Sequence, residues 1–230
     1  MERRLFTPAD RIAPGFYMKY WDSIIKKYDG KGLMSNKLKQ YREVRNGAIL
    51  AALWTKTTGR KHFVSFPSDE PADVEIYSLE DSEYKGKPSY SLVRVPVQLT
   101  RCSLPDGETI VGQINNKNKQ ALANTTLVVH LTANDGDTIT LNDIVKEVQS
   151  ISPLYPKEVA IIAPLLDDSS TEQTFGQVLL SSADTVGQFR TSKVSLDDID
   201  AFFEEPPIMH SKKGTGRAIT EHGEINLMLP

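Results

Sequence analysis

The chain has 230 residues and a mass of 25.6 kDa, with 39% hydrophobic and 25% charged residues, 14 Gly and 13 Pro. These proportions exclude a collagen-like, coiled-coil or wholly disordered chain, and the length fits one largish domain, or one domain with a short appendage. The net charge of −3 hides a split: residues 1–65 carry 14 Lys and Arg against 5 Asp and Glu, residues 66–230 carry 13 against 25.

The longest uninterrupted apolar stretch is Ala48–Trp54, far short of a membrane span. Arg3 and Arg4 are not followed by an apolar segment, so no secretory signal is expected. With Cys102 as the single cysteine, neither an internal disulfide nor a cysteine-based zinc site is possible within the chain. The expectation is a cytoplasmic protein that does not enter a membrane.

Residues 1–35 read as an arm and a short helix. Tyr17, Tyr20, Trp21, Ile24 and Tyr28 recur at helical spacing over Gly15–Tyr28, a stripe that suits a core better than a base-stacking platform. A longer helix is predicted from Ser35 or Asn36 to about Thr57, closed by Gly59. Its apolar face is Leu38, Tyr41, Val44, Ala48, Ile49, Ala52 and Leu53. Lys37, Lys39, Arg42 and Arg45 crowd its start, and Glu43 is its one acidic residue.

Strands are predicted over His62–Phe66, Asp73–Tyr77 and Tyr90–Thr100, with the charged stretch Glu80–Ser89 as a hairpin loop. Pro96 points to an edge position or a bulge for the third of them. Asp106 is a candidate cap for a helix across Gly107–Ala123. Thr125–Thr132, Glu158–Leu166 and Phe175–Ser181 read as further strands, with helices over Thr140–Ile151 and Leu196–Phe203. Helices alternating with buried strands imply an α/β fold with a mixed central sheet of five or six strands, its core spanning residues 36–186. Residues 187–230 read as a C-terminal extension, partly disordered, whose tail is suited to docking a protein partner.

The chain lacks a GxxxxGK[ST] loop, a GxGxxG after a strand, an HExxH and a serine nucleophile elbow. The four histidines show no ligand spacing, and His130 lies mid-strand as a core residue would. What remains is a set of carboxylates. Asp73 and Glu75 are two apart in a strand, which places both on one face. Two carboxylates side by side repel unless a metal cation or a basic group sits between them, and oxygen ligands suit Mg²⁺ or Mn²⁺; the plainer alternative is an edge strand turning its polar face to water.

With Glu43 in the preceding helix, Asp73 opening the second strand, Gln98 in the third and Lys117 in the next helix, the chain resembles the PD-(D/E)XK nuclease superfamily over residues 36–165. The core of that family runs helix, three strands, helix, strand. The resemblance implies a restriction-endonuclease-like fold, a divalent-metal-dependent hydrolysis of phosphodiester bonds, and Asp73, Glu75 and Glu43 as metal ligands. The third-strand motif falls on Pro96-Val97-Gln98, with Pro96 where the family has its second carboxylate and Gln98 where it has its lysine. Lys117 would replace that lysine from the helix, and Gln98 would orient the attacking water. Lys37, Lys39, Arg42 and Arg45 would hold the nucleic-acid backbone, through residues 1–65 and without reading sequence. Two other readings stay open: a nuclease-fold binding module without catalysis, and a structural or assembly subunit of unrelated α/β fold. The oligomeric state is left open, with a dimer as one arrangement.

Overall fold

The computed structural model describes residues 11–33, 35–68, 72–84, 86–117, 125–132, 140–149, 158–165, 174–181, 190–202, 208–212, 215–220 and 223–228. Two compact units share the chain. The first comprises Met1–Phe66, Glu75–Val95 and Ile199–Pro230, the second Pro67–Val74 and Pro96–Asp198.

In the first unit, helix α1 (Pro14–Lys27) starts on a proline, which fits the first turn because its missing N–H has no helical partner there. Tyr17, Trp21 and Ile24 are buried as the aromatic stripe predicts, and the Tyr17 hydroxyl donates to Tyr41 O at 2.9 Å. Tyr28 ends the stripe in solvent. A 3₁₀ turn (Asn36–Leu38) leads into α2 (Lys39–Thr58), in which every residue from Gly47 to Trp54 is buried. A helix covered all round is a core element rather than an amphipathic surface one. Gly59, at φ 70°, supplies the left-handed residue that closes it. Strand β1 (His62–Ser65) pairs antiparallel with β2 (Val74–Tyr84), and Ile12 forms a two-bond bridge to Val64.

Strand β3 (Lys87–Ser103) is far longer than its predicted core. Residues 80–84 therefore continue β2 and residues 87–89 begin β3, so most of the predicted hairpin loop is strand, with a turn at Gly86. In the second unit, α3 (Ile110–Asn115) precedes β4 (Thr126–Thr132), and α4 (Leu141–Gln149) precedes β5 (Glu158–Leu165). β6 (Thr174–Ser181), β7 (Arg190–Ser195) and α5 (Leu196–Ala201) follow. The cap of α3 is Thr109, whose Oγ1 accepts from Gly112 N at 3.0 Å; Asp106 instead ends a 3₁₀ turn. Thr140 with Asp143, and Ser195 with Asp198, form reciprocal capping boxes that start α4 and α5.

The strand order is β1-β2-β3-β4-β5-β6-β7, a mixed sheet of seven strands rather than five or six. β3, β4 and β5 run parallel, while β6 and β7 return antiparallel. Parallel neighbours need crossovers, which is the place of α3 and α4. Ile110, Ile114, Ile144 and Val148 of those helices pack on Leu127, Val129, Leu131, Val159 and Ile161. Pro96 lies in an interior strand, not at an edge. Val97 O faces β2, accepting from Asp73 N at 2.9 Å, so the absent N–H of Pro96 faces the β4 side. Among the described residues pairing with β4 begins at Val97, so the proline falls at the edge of that ladder. Near the C terminus the chain forms three more strands, β8 (Ile208–Lys212), β9 (Thr215–Thr220) and β10 (Gly223–Met228), in an antiparallel sheet where the sequence pattern shows no element. No described helix is long and apolar enough to cross a membrane.

Burial of His62 couples this fold to pH. Its Nδ1 lies 2.9 Å from Arg60 O, its ring meets Trp54 edge-on, and burial pulls its pKa down from 6.5 to about 4. Between those values the unfolded chain binds more protons than the folded one. Stability therefore falls as the pH drops from 6.5 to about 4, by up to about 3 kcal/mol. Urea titrations across this range should show that loss in the wild type and a shallower one in His62→Gln.

Candidate functional site

The second unit brings three of the sequence-predicted residues to one stretch of β3. Leu99 lies beyond the start of β2, so its peptide groups on that side look for partners other than a strand. The Leu99 N–H donates to Asp73 Oδ2 at 2.8 Å, and the Lys117 ammonium donates to Leu99 O at 3.2 Å. N–H and C=O of one strand residue point to the same side, so the carboxylate and the ammonium stand along the same edge of β3. The next residue toward the N terminus is Gln98, paired with Leu127 of β4 and therefore on the sheet face covered by α3 and α4. Thr100, on that same face, donates to Gln113 Oε1 of α3 at 3.2 Å.

Local sequence explains why these groups stay where they are. Asp73 is anchored twice, by its own N–H to Val97 O and by its carboxylate to Leu99 N. Lys117 follows the last turn of α3, where its N–H still bonds Ile114 O. The Thr109 cap fixes where that short helix begins, and Val111 N donates to Glu147 Oε1 of α4 at 3.2 Å. An ammonium has three donors, and Leu99 O takes one of them. Among the described residues, one Asp73 carboxylate oxygen and two Lys117 ammonium hydrogens carry no further hydrogen bond, which is the minimum for gripping an oxyanion and a hard cation together.

Glu75 has a different environment. It belongs to the first unit, is wholly buried, and receives Arg94 Nη2 on Oε1 and the Tyr77 hydroxyl on Oε2, both at 2.5 Å. Burial and the neighbouring carboxylate push the Tyr77 hydroxyl up to about 12, so it remains a donor. Glu43, also in the first unit, forms an i,i+4 pair with Lys39 at 3.4 Å. Among the described residues no three His, Cys, Asp or Glu side chains assemble into a metal-holding group.

The basic residues of α2 divide in use. Arg42 donates to the carbonyls of Leu33 and Ser35, tying the preceding loop to the helix. Arg45 is half-buried, reaches Asn46 Oδ1 at 3.4 Å and is drawn below its usual pKa by burial, with Asp22 opposing that shift. Lys37 and Lys39 are exposed. Arg94, Tyr77 and Arg11 escaped the sequence reading, because a pairing between residues 75 and 94 has no local signature. The only available hint was an acidic residue at an inward position of a strand.

No family model matches the chain, and no curated protein is significantly similar to it.

The geometry separates the two carboxylates by role. Asp73→Asn keeps an acceptor for Leu99 N–H and should leave stability nearly unchanged. Glu75→Ala removes the partner of both Arg94 and Tyr77 and should cost about 1–3 kcal/mol, since the Arg94 left behind is partly exposed to water. Urea denaturation of the two variants beside wild type measures both.

Proposed function

We propose that the chain is a divalent-metal-dependent phosphodiesterase acting on nucleic acid, built on a restriction-endonuclease-like core. The observation that carries this reading is the meeting of Asp73 and Lys117 on the Leu99 peptide. The order α2-β1-β2-β3-α3-β4, with a parallel β3–β4 pair across the α3 crossover, supports it. So does the place of Asp73, one residue before β2 begins.

Mg²⁺ or Mn²⁺ fits these residues only sparsely. Asp73 would hold it with one carboxylate oxygen, aided by the Gln98 amide oxygen, waters and substrate phosphate oxygens, a set within the ordinary chemistry of Mg²⁺. Glu75, closed off by Arg94 and Tyr77, is no part of that set. When bound, the metal polarises the scissile phosphate and lowers the pKa of the attacking water. Lys117 directs its remaining N–H groups at a non-bridging phosphate oxygen, where negative charge develops. Gln98, neutral and able both to donate and to accept, orients the water. Anchoring Lys117 to Leu99 O spares the reordering of a flexible four-carbon stem at the moment of reaction.

A second reading, a nuclease-fold module that binds nucleic acid without cutting it, is favoured by Pro96 at the second carboxylate position and by the engagement of Glu75. The two readings separate in one set of measurements. Wild-type protein with Mn²⁺ should cut plasmid DNA, single-stranded DNA or RNA. Lys117→Ala and Asp73→Asn should each lower that rate by roughly 10²-fold or more. Absence of cleavage and of any heat of Mn²⁺ binding, with DNA still retained at low salt, selects the binding module.

A further inference from the structure

Helix α3 has six residues, too few to hold a place on its own, so its position is set by what it touches. Ile110 and Ile114 pack it onto the sheet. Apolar contact is non-directional and leaves a short helix free to slide and rotate, so directional bonds must fix the rest. At its start the Thr109 hydroxyl caps Gly112 N at 3.0 Å, and a Cβ on Gly112 would stand only 2.8 Å from that oxygen. Toward its end two bonds reach β3. The Thr100 hydroxyl donates to Gln113 Oε1, and Lys117 Nζ donates to Leu99 O, each at 3.2 Å.

These two bonds are matched in spacing. Leu99 and Thr100 are neighbours in β3, joined by one rigid peptide. Gln113 and Lys117 are four apart on a helical backbone: Asn116 is still right-handed, and Lys117 N bonds Ile114 O at 3.2 Å. Residues so spaced share one helix face, about 6 Å apart along the axis. A strand peptide, a helical turn and two hydrogen bonds therefore close a frame, all of it within the second unit. If the Thr100–Gln113 side of the frame is broken, α3 can turn about its remaining contacts. The Lys117 ammonium, on a flexible four-carbon stem, moves with it. Neither Thr100 nor Gln113 is charged, so what their bond contributes is position.

We infer that Thr100 and Gln113 are positioning residues for Lys117, holding α3 so that the ammonium stays on the Leu99 peptide that also binds Asp73. The consequence for catalysis rests on the proposed phosphodiesterase reading; the placement of the ammonium does not.

The Leu99 carbonyl carbon reports that placement without any substrate, because loss of a hydrogen bond to a carbonyl moves its carbon resonance upfield. In nuclear magnetic resonance spectra of the isotope-labelled full chain, Lys117→Ala should produce that shift. Thr100→Val, which keeps the branched shape without the hydroxyl, and Gln113→Met should each move the resonance the same way. Thr100→Ser, which retains the hydroxyl, should leave it near the wild-type position. The variants approach the bond from opposite ends, so either one that folds, as its amide spectrum shows, carries the test. In Mn²⁺-dependent cleavage each should lower kcat roughly tenfold with KM unchanged, and neither should slow Lys117→Ala any further. A Leu99 carbonyl at its wild-type position in Thr100→Val and Gln113→Met overturns the inference. Rate losses that multiply with that of Lys117→Ala overturn it too, since they mark general damage to the fold. Absence of cleavage by wild type overturns the proposed function instead, and the carbonyl shift then decides the positioning role by itself.

Discussion

Once β3 outruns β2, the peptide of Leu99 faces a side where no described strand meets it. A backbone N–H and C=O in that position cannot be left unpaired without a cost of about 1–3 kcal/mol each. Side chains meet the need: Asp73 takes the N–H, and Lys117 takes the C=O. Much of the surrounding architecture follows from placing those two groups. The loop before β2 must end in an acceptor, and α3 must be short enough to deliver a lysine to the edge of the strand it follows. The Thr109 cap and the tie from Val111 to Glu147 hold α3 at that length and place. An acid and a base are thereby kept in register by the same peptide, each with capacity to spare.

The first unit meets a comparable demand by other means. There the group in need is a charged side chain, Glu75, and the partners come from β3 and from the N-terminal arm by way of Tyr77, whose ring centroid lies 4.5 Å from Arg11 Cζ. The carboxylate itself is fully buried, whereas the Arg94 side chain is 40% exposed. In both units a group that folding has taken out of water is met by side chains distant in the sequence.

Elements with a clean hydrophobic period were legible in the sequence. TTLVVHLT announced β4, the alternation around Val93–Leu99 announced the centre of β3, and the apolar spacing from Leu38 to Leu53 announced α2, though not that Gly47–Trp54 is buried all round. Elements stabilised by partners were not. The outer halves of β2 and β3 carry Glu80, Asp81 and Lys87, whose charge reads as loop although pairing within a two-stranded ribbon suits it well. The C-terminal strands are only five or six residues long, and Gly216 and Gly223 fall within them, which leaves little alternation to read. At the site, Asp73, Gln98 and Lys117 were reachable through the order of elements. Arg11, Tyr77 and Arg94 were not, since burial of Glu75 is a tertiary fact and strand alternation alone does not tell a carboxylate in water from one beneath an arginine.

The register of Gln98 has one more consequence. Paired with Leu127, it belongs to the face roofed by the helices, where a cation would have to enter an apolar layer. A neutral amide costs less to place there than a charge, while the Lys117 ammonium meets the strand at its backbone, on Leu99 O. The polar groups of this stretch thus come from two directions, Gln98 from the helix-covered face and Asp73 and Lys117 from the rim of β3.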